Sequence, residues 1–158
     1  MNSACRQRPR PLSQLRPKSL PNFAPMNGRT VYIDTSAFLK LVVAEPESAA
    51  LHRFLLRWPE RTSATLLRTE AVRVLRRGGY AHRVGSARRL FRAMRLIRLD
   101  EPLLDQAGDL DPPALRSLDS VHLAAALTLG VDLGVFVTYD ERLAVAARDR
   151  GLIVSAPR

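Results

Sequence analysis

The sequence predicts an α/β fold in which a parallel sheet is covered by helices on both faces. Short apolar runs of strand length, such as "VYI" before Asp34 and "GVFVT" before Tyr139, alternate with segments whose apolar residues recur at helical spacing. Strand–helix alternation of this kind is the pattern of βαβ units, and therefore of parallel strands. At 158 residues the chain has one domain's worth of sequence, enough to bury a sizeable core.

Taken in order, Val31–Asp34 reads as a strand and Thr35–Ala44 as a helix. That helix ends near Glu45-Pro46, because the residue before proline avoids the helical region. Glu47–Trp58 is a second helix, with Leu51, Phe54, Leu55 and Trp58 three or four residues apart. Arg61–Ala64 reads as a short strand and Thr65–Arg77 as a helix stopped by Gly78-Gly79. A helix over Ala81–Arg92, a strand over Arg95–Leu99 and a short helix over Pro102–Leu110 follow, then a turn at Asp111-Pro112-Pro113. Ser117–Leu129 is a helix ended by Gly130, and Gly134–Thr138 is a buried strand. Glu141–Arg150 is a helix ended by Gly151, and Leu152–Val154 is a last short strand.

Residues 1–25 do not fit this alternation. They carry five prolines, five basic residues and no acid, and read as a disordered basic extension to a domain over 26–158. A start at Met26 is the alternative. The segment lacks the continuous apolar core of a secretory signal, and no apolar run approaches the ~18 residues of a membrane span. The single cysteine, Cys5, forbids an internal disulfide framework and fits a reducing compartment. Together these features lead us to expect a cytoplasmic protein without membrane association. The net charge of +10 favours a polyanionic partner.

Four carboxylates stand where a purely structural residue is unexpected. Asp34 follows a strand and opens a helix, at the edge where open parallel sheets bind ligands; as a plain structural residue it would be a helix N-cap. Glu70 lies in the stripe of Leu67, Ala71, Val74 and Leu75, although glutamates are rarely buried unless paired. Its structural alternative is to reach out and pair with Arg73 or Arg77. Asp119 begins "DSVHLAAALTLG", a helix apolar almost all round and so largely buried. There it either serves a site or complements the helix dipole behind a Ser117 cap. Asp140 repeats the Asp34 situation after a second strand, with an N-cap as its alternative.

In one parallel sheet these places converge on one edge. Four carboxylates there would repel and raise one another's pKa values. A hard divalent cation, Mg2+ or Mn2+, relieves that repulsion and takes oxygen ligands. His52, His82 and His122 are scattered and there is no C-x-x-C, so nothing points to zinc. Such an ion lowers the pKa of a bound water and stabilises charge on a phosphoryl oxygen. With basic residues in excess, the substrate expected is a phosphodiester. Ser36 and Thr138, each two residues from an acid, can hold a carboxylate or cap locally.

At these residues the chain from about Met26 onward resembles a PIN domain, and within that family the VapC-like ribonuclease toxins. "YIDTSAFLKLVVAEPES" is similar to the first motif of the family, with Asp34 at its metal-binding aspartate and Ser36 at the small hydroxyl residue. "SATLLRTEAVRVL" is similar to the second, with Glu70 at its acid. "LRSLDSVHLAAAL" is similar to the third, with Asp119, and "FVTYDERLAVAARDRGL" to the fourth, with Asp140. The resemblance implies a three-layer α/β/α sandwich around a mostly parallel sheet. It also implies Mg2+- or Mn2+-dependent endonucleolytic cleavage of RNA, a homodimer, and a cognate antitoxin that blocks the site.

His122, one turn after Asp119, reads as a core or near-core group, with a general base as the alternative. Nine arginines and no acid lie between Ala71 and Leu99, a segment that either meets phosphates or is a solvated helix pair. Tyr80 and Phe91 are candidate base-stacking residues, with core packing the plainer role. Two other functions compete. A receiver-type phosphotransfer domain would need paired acids at its first strand and a lysine after its last, but the only lysines are Lys18 and Lys40. A non-catalytic RNA-binding domain on the same PIN-like fold would carry the four acids as relics.

Overall fold

The computed structural model describes residues 28–158; the Pro-rich extension and the Met26 start expected from sequence lie outside the described residues. The chain runs β1 (Thr30–Ile33), α1 (Thr35–Val42), α2 (Ser48–Leu55), β2 (Glu60–Ala64), α3 (Leu67–Arg77), α4 (Val84–Arg92) and β3 (Arg95–Ile97). It continues through α5 (Glu101–Gly108), α6 (Ser117–Leu127), β4 (Leu133–Val137), α7 (Glu141–Asp149) and β5 (Val154–Ser155). The strands form one sheet in the order β3-β2-β1-β4-β5, and every pairing is parallel.

Period-two alternation in the central strands builds the two cores. Val31 and Ile33 of β1, with Val135 and Val137 of β4, pack against α1–α4. Tyr32 and Phe136 face the other way, stacked with ring centroids 5.2 Å apart, against α5, α6 and α7. Helices on both faces make the three-layer α/β/α sandwich. Phe91, a candidate for base stacking, is instead buried against Phe38, whereas Tyr80 is exposed.

Where elements stop short of their sequence patterns, a tertiary contact explains it. Thr65 is not helical, because its N–H still bonds Ile97 O of β3 at 2.8 Å. Trp58 lies beyond α2, since it precedes Pro59 and its N–H closes a turn on Leu55 O. Leu152 belongs to the end of α7 and not to β5: Gly151 takes φ +79° and the Leu152 N–H returns to Ala147 O. Residues 81–83 form a 3₁₀ turn ahead of α4.

The strand order places successive crossovers on opposite sides of β1. The crevice between the carboxyl ends of β1 and β4 is therefore the topological switch point, where open α/β sheets bind ligands. Asp34 N–H donates to Val137 O at 3.1 Å and ties the two strand ends together. Among the described residues, no helix is long and apolar enough to cross a membrane.

Candidate active site

Asp34 leaves β1 in an extended conformation and caps α1, its Oδ1 accepting the Ala37 N–H at 2.9 Å. The capping role foreseen as the structural alternative is therefore real, but it accounts for only part of the side chain's contacts. Ser36 Oγ reaches Oδ1 and Oδ2 at 2.8 and 2.9 Å, and Thr138 Oγ1 donates to Oδ2 at 2.7 Å. Ser36 Oγ in turn accepts the Tyr139 N–H, and Thr138 Oγ1 accepts the Asp140 N–H. Both hydroxyls thus hold a carboxylate, one of the two roles open to them from sequence. Burial pushes the Asp34 carboxyl above its usual range, against the opposing pull of His122, the Ala37 amide and the two hydroxyls.

Glu70 sits on α3 but does not pair with Arg73 or Arg77. Its Oε2 accepts from Thr35 Oγ1 and lies 2.8 Å from His122 Nε2. His122 Nδ1 is 2.8 Å from Tyr32 Oη, and its Nε2 also approaches Thr35 Oγ1 at 3.1 Å. Burial raises the Glu70 carboxyl, but the His122 and Thr35 contacts outweigh it and hold the group below the usual range. This corrects the expectation that all four acids would be pushed up together.

Asp119 lies in the first turn of α6, where Ser117 does not cap; Arg116 occupies the cap position without a side-chain bond. Burial, then the charge of Asp140, push the Asp119 carboxyl up; Arg116 opposes them, and Asp34 adds to the rise. Among the described residues its side chain accepts no hydrogen bond. Asp140 caps α7, with Oδ1 accepting the Arg142 and Leu143 N–H groups.

Asp119 thus feels the charges of Asp140 and Asp34, and Glu70 is bonded to Thr35, the next residue after Asp34. Asp34 and its two supporting hydroxyls sit at the switch point, with Asp119 within electrostatic reach of Asp34 and Asp140, and Glu70 one residue away through Thr35. Among the described residues no three acidic, histidine or cysteine side chains already stand at ion-coordinating distance. The donor chemistry still fits a hard divalent ion: every acid offers oxygen only, and repulsion felt at Asp119 is what such an ion removes.

Sequence reasoning missed Thr35 and Tyr32 and underrated His122, which is buried as expected but bonded to a site acid. A signal existed for Tyr32, because a phenol within an apolar strand needs a polar partner. The nine arginines of the α3–α4 region are all exposed, and among the described residues none pairs with an acid.

A PIN domain family model matches residues 31–149. Ribonuclease VapC46 of Mycobacterium tuberculosis is 47% identical over 128 residues, covering 80% of this chain and 97% of that protein. Ribonuclease VapC47 of the same species is 37% identical over 131 residues, covering 80% and 96%. The crystal structure of VapC20 from Mycobacterium tuberculosis, a toxin described as cleaving the sarcin-ricin loop, shares the fold. Its TM-score is 0.66 at 18% identity, over 80% of this chain and 99% of that one. Ribonucleases of this family depend on a divalent metal ion. With the family model spanning the sheet and its helices, and the relatives aligned over nearly their full length, the chain belongs to the PIN-domain family, in its VapC ribonuclease branch.

Proposed function

We propose that the chain is a Mg2+-dependent endoribonuclease, the toxin of a toxin–antitoxin pair. The observation that supports this reading is Asp34, held by Ser36 and Thr138 at the β1–β4 switch point, with Asp119 pushed up partly by the charges of Asp140 and Asp34. These four residues would hold the ion, for which Mn2+ is a substitute. When bound, it supplies a water of lowered pKa and neutralises charge on the phosphoryl oxygen.

The chain's own groups do the rest. Ser36 and Thr138 fix Asp34 from both oxygens, so the carboxylate is oriented before anything binds. The exposed arginines between Arg73 and Arg98 supply the positive charge that an RNA backbone needs. The names of the relatives support a cognate antitoxin that blocks the site, and the working form is proposed to be a homodimer.

The test is cleavage of RNA by the purified protein with Mg2+, with chelator, and in the Asp34→Asn variant. Asparagine keeps the helix cap, so the variant should fold. Cleavage should need the metal, fall by roughly 10³-fold in the variant, and weaken steeply as salt rises. Undiminished cleavage by Asp34→Asn defeats the site. RNA binding without cleavage by either protein supports the non-catalytic alternative.

A further inference from the structure

Tyr32, His122, Glu70 and Thr35 come from β1, α6, α3 and α1, so their contacts join the two helical layers across the carboxyl edge of the sheet. Tyr32 and His122 are almost fully buried. A histidine serving only the core needs partners for its two nitrogens, and nearby backbone carbonyls would do. Here one nitrogen is committed to an acid of the site.

The hydrogen-bond partners assign the tautomer. The Glu70 carboxylate can only accept, so Nε2 carries the hydrogen. Nδ1 is then an acceptor, and Tyr32 donates to it. Thr35 adds a second donor to the same oxygen. Every hydrogen bond to the Glu70 side chain falls on Oε2, and Oε1 has no partner among the described residues.

We propose that His122, oriented by Tyr32 and assisted by Thr35, is a positioning residue that clasps Oε2 of Glu70, so that Oε1 is the oxygen presented to the divalent ion. This rests on the metal-site reading above. A ligating carboxylate held by outer hydrogen bonds loses roughly 10–100-fold in metal affinity when they are removed. The opposite role would be a resident cation, with His122 as imidazolium filling the metal's place. The two differ in sign: removing a clasp weakens metal binding, whereas removing a competitor tightens it.

The experiment is Mn2+ binding to the full chain by titration calorimetry, with steady-state RNA cleavage alongside. Tyr32→Phe keeps the ring stacked on Phe136 and removes only the hydroxyl. Together with His122→Leu it should weaken Mn2+ binding by about 10–100-fold and lower kcat while KM for RNA holds. His122→Gln, whose amide nitrogen can replace the Nε2–H, should recover most of the affinity. Wild-type or tighter Mn2+ binding in Tyr32→Phe and His122→Leu overturns the clasp. If His122→Leu does not fold, Tyr32→Phe decides alone. Asp34→Asn separates the two readings: Mn2+ binding by that variant as tight as wild type sinks the metal site and the clasp with it. If its binding is lost while Tyr32→Phe binds normally, only the clasp falls.

Discussion

Glu70 and Asp119, two carboxylates of the proposed site, have opposite surroundings. Glu70 is met by a hydroxyl and an imidazole N–H, and its carboxyl is held below the usual range despite burial. Asp119 has no such partner among the described residues, and burial and its acidic neighbours push it up. The first acid contributes to the stability of the fold that holds it. The second costs stability in the metal-free protein, a cost that Arg116 only partly offsets. A charge the fold would be better without is the stronger sign of function, and on that ground Asp119 is the more telling of the two.

The largest expected effect follows from this. Asp119→Asn should lower RNA cleavage by about 10³-fold, the scale of losing several kcal/mol of charge stabilisation. Its unfolding temperature without metal should stay level or rise. A variant that loses activity and also more than ~1 kcal/mol of stability would make Asp119 structural and erase the contrast.

Glu70→Ala sharpens the other side. It removes the acceptor shared by the His122 Nε2–H and the Thr35 hydroxyl, which then have only each other at 3.1 Å, a loss of roughly 1–3 kcal/mol. Chemical denaturation of the metal-free variant should show that loss, with Glu70→Gln intermediate because its amide oxygen can still accept. Wild-type stability in Glu70→Ala would mean that the hydrogen bonds to Oε2 add nothing.

This contrast also marks what could be read from sequence. The parallel sheet and its helices were legible, and the four acids stood out as candidates, because each depends on local pattern: an apolar run ending in Asp34, or an acid in the stripe of α3. The partners of Glu70 were not. Tyr32 and His122 are 90 positions apart and His122 and Glu70 are 52 apart. Their meeting depends on which face of β1 each residue takes and on how α6 lies across it. Element ends failed for the same reason: Thr65 reads as the start of a helix until its N–H is seen bonded to Ile97 O of β3. Local pattern reveals which residues are out of place, and tertiary contacts decide what they touch.

The smallest effect carries the sharpest sign. The folded Asp119 carboxyl lies above its usual 3.8, so its ionisation costs stability that is absent below that value and fully felt above the raised one. Glu70 lies below its usual 4.5, so its contribution is present above that value and lost as pH falls through the folded one. In metal-free protein at pH 7, Asp119→Asn should therefore melt higher than wild type by no more than about 4 °C. That gain should shrink toward zero as the pH is lowered toward 3.8. The deficit of Glu70→Ala should also shrink on acidification, but from the opposite side of the wild-type curve and only once the pH passes below 4.5. Melting curves between pH 3 and 7 in chelator test both at once. An Asp119→Asn gain that grows on acidification would mean that its carboxylate is stabilised in the folded chain, and the two acids would then be alike.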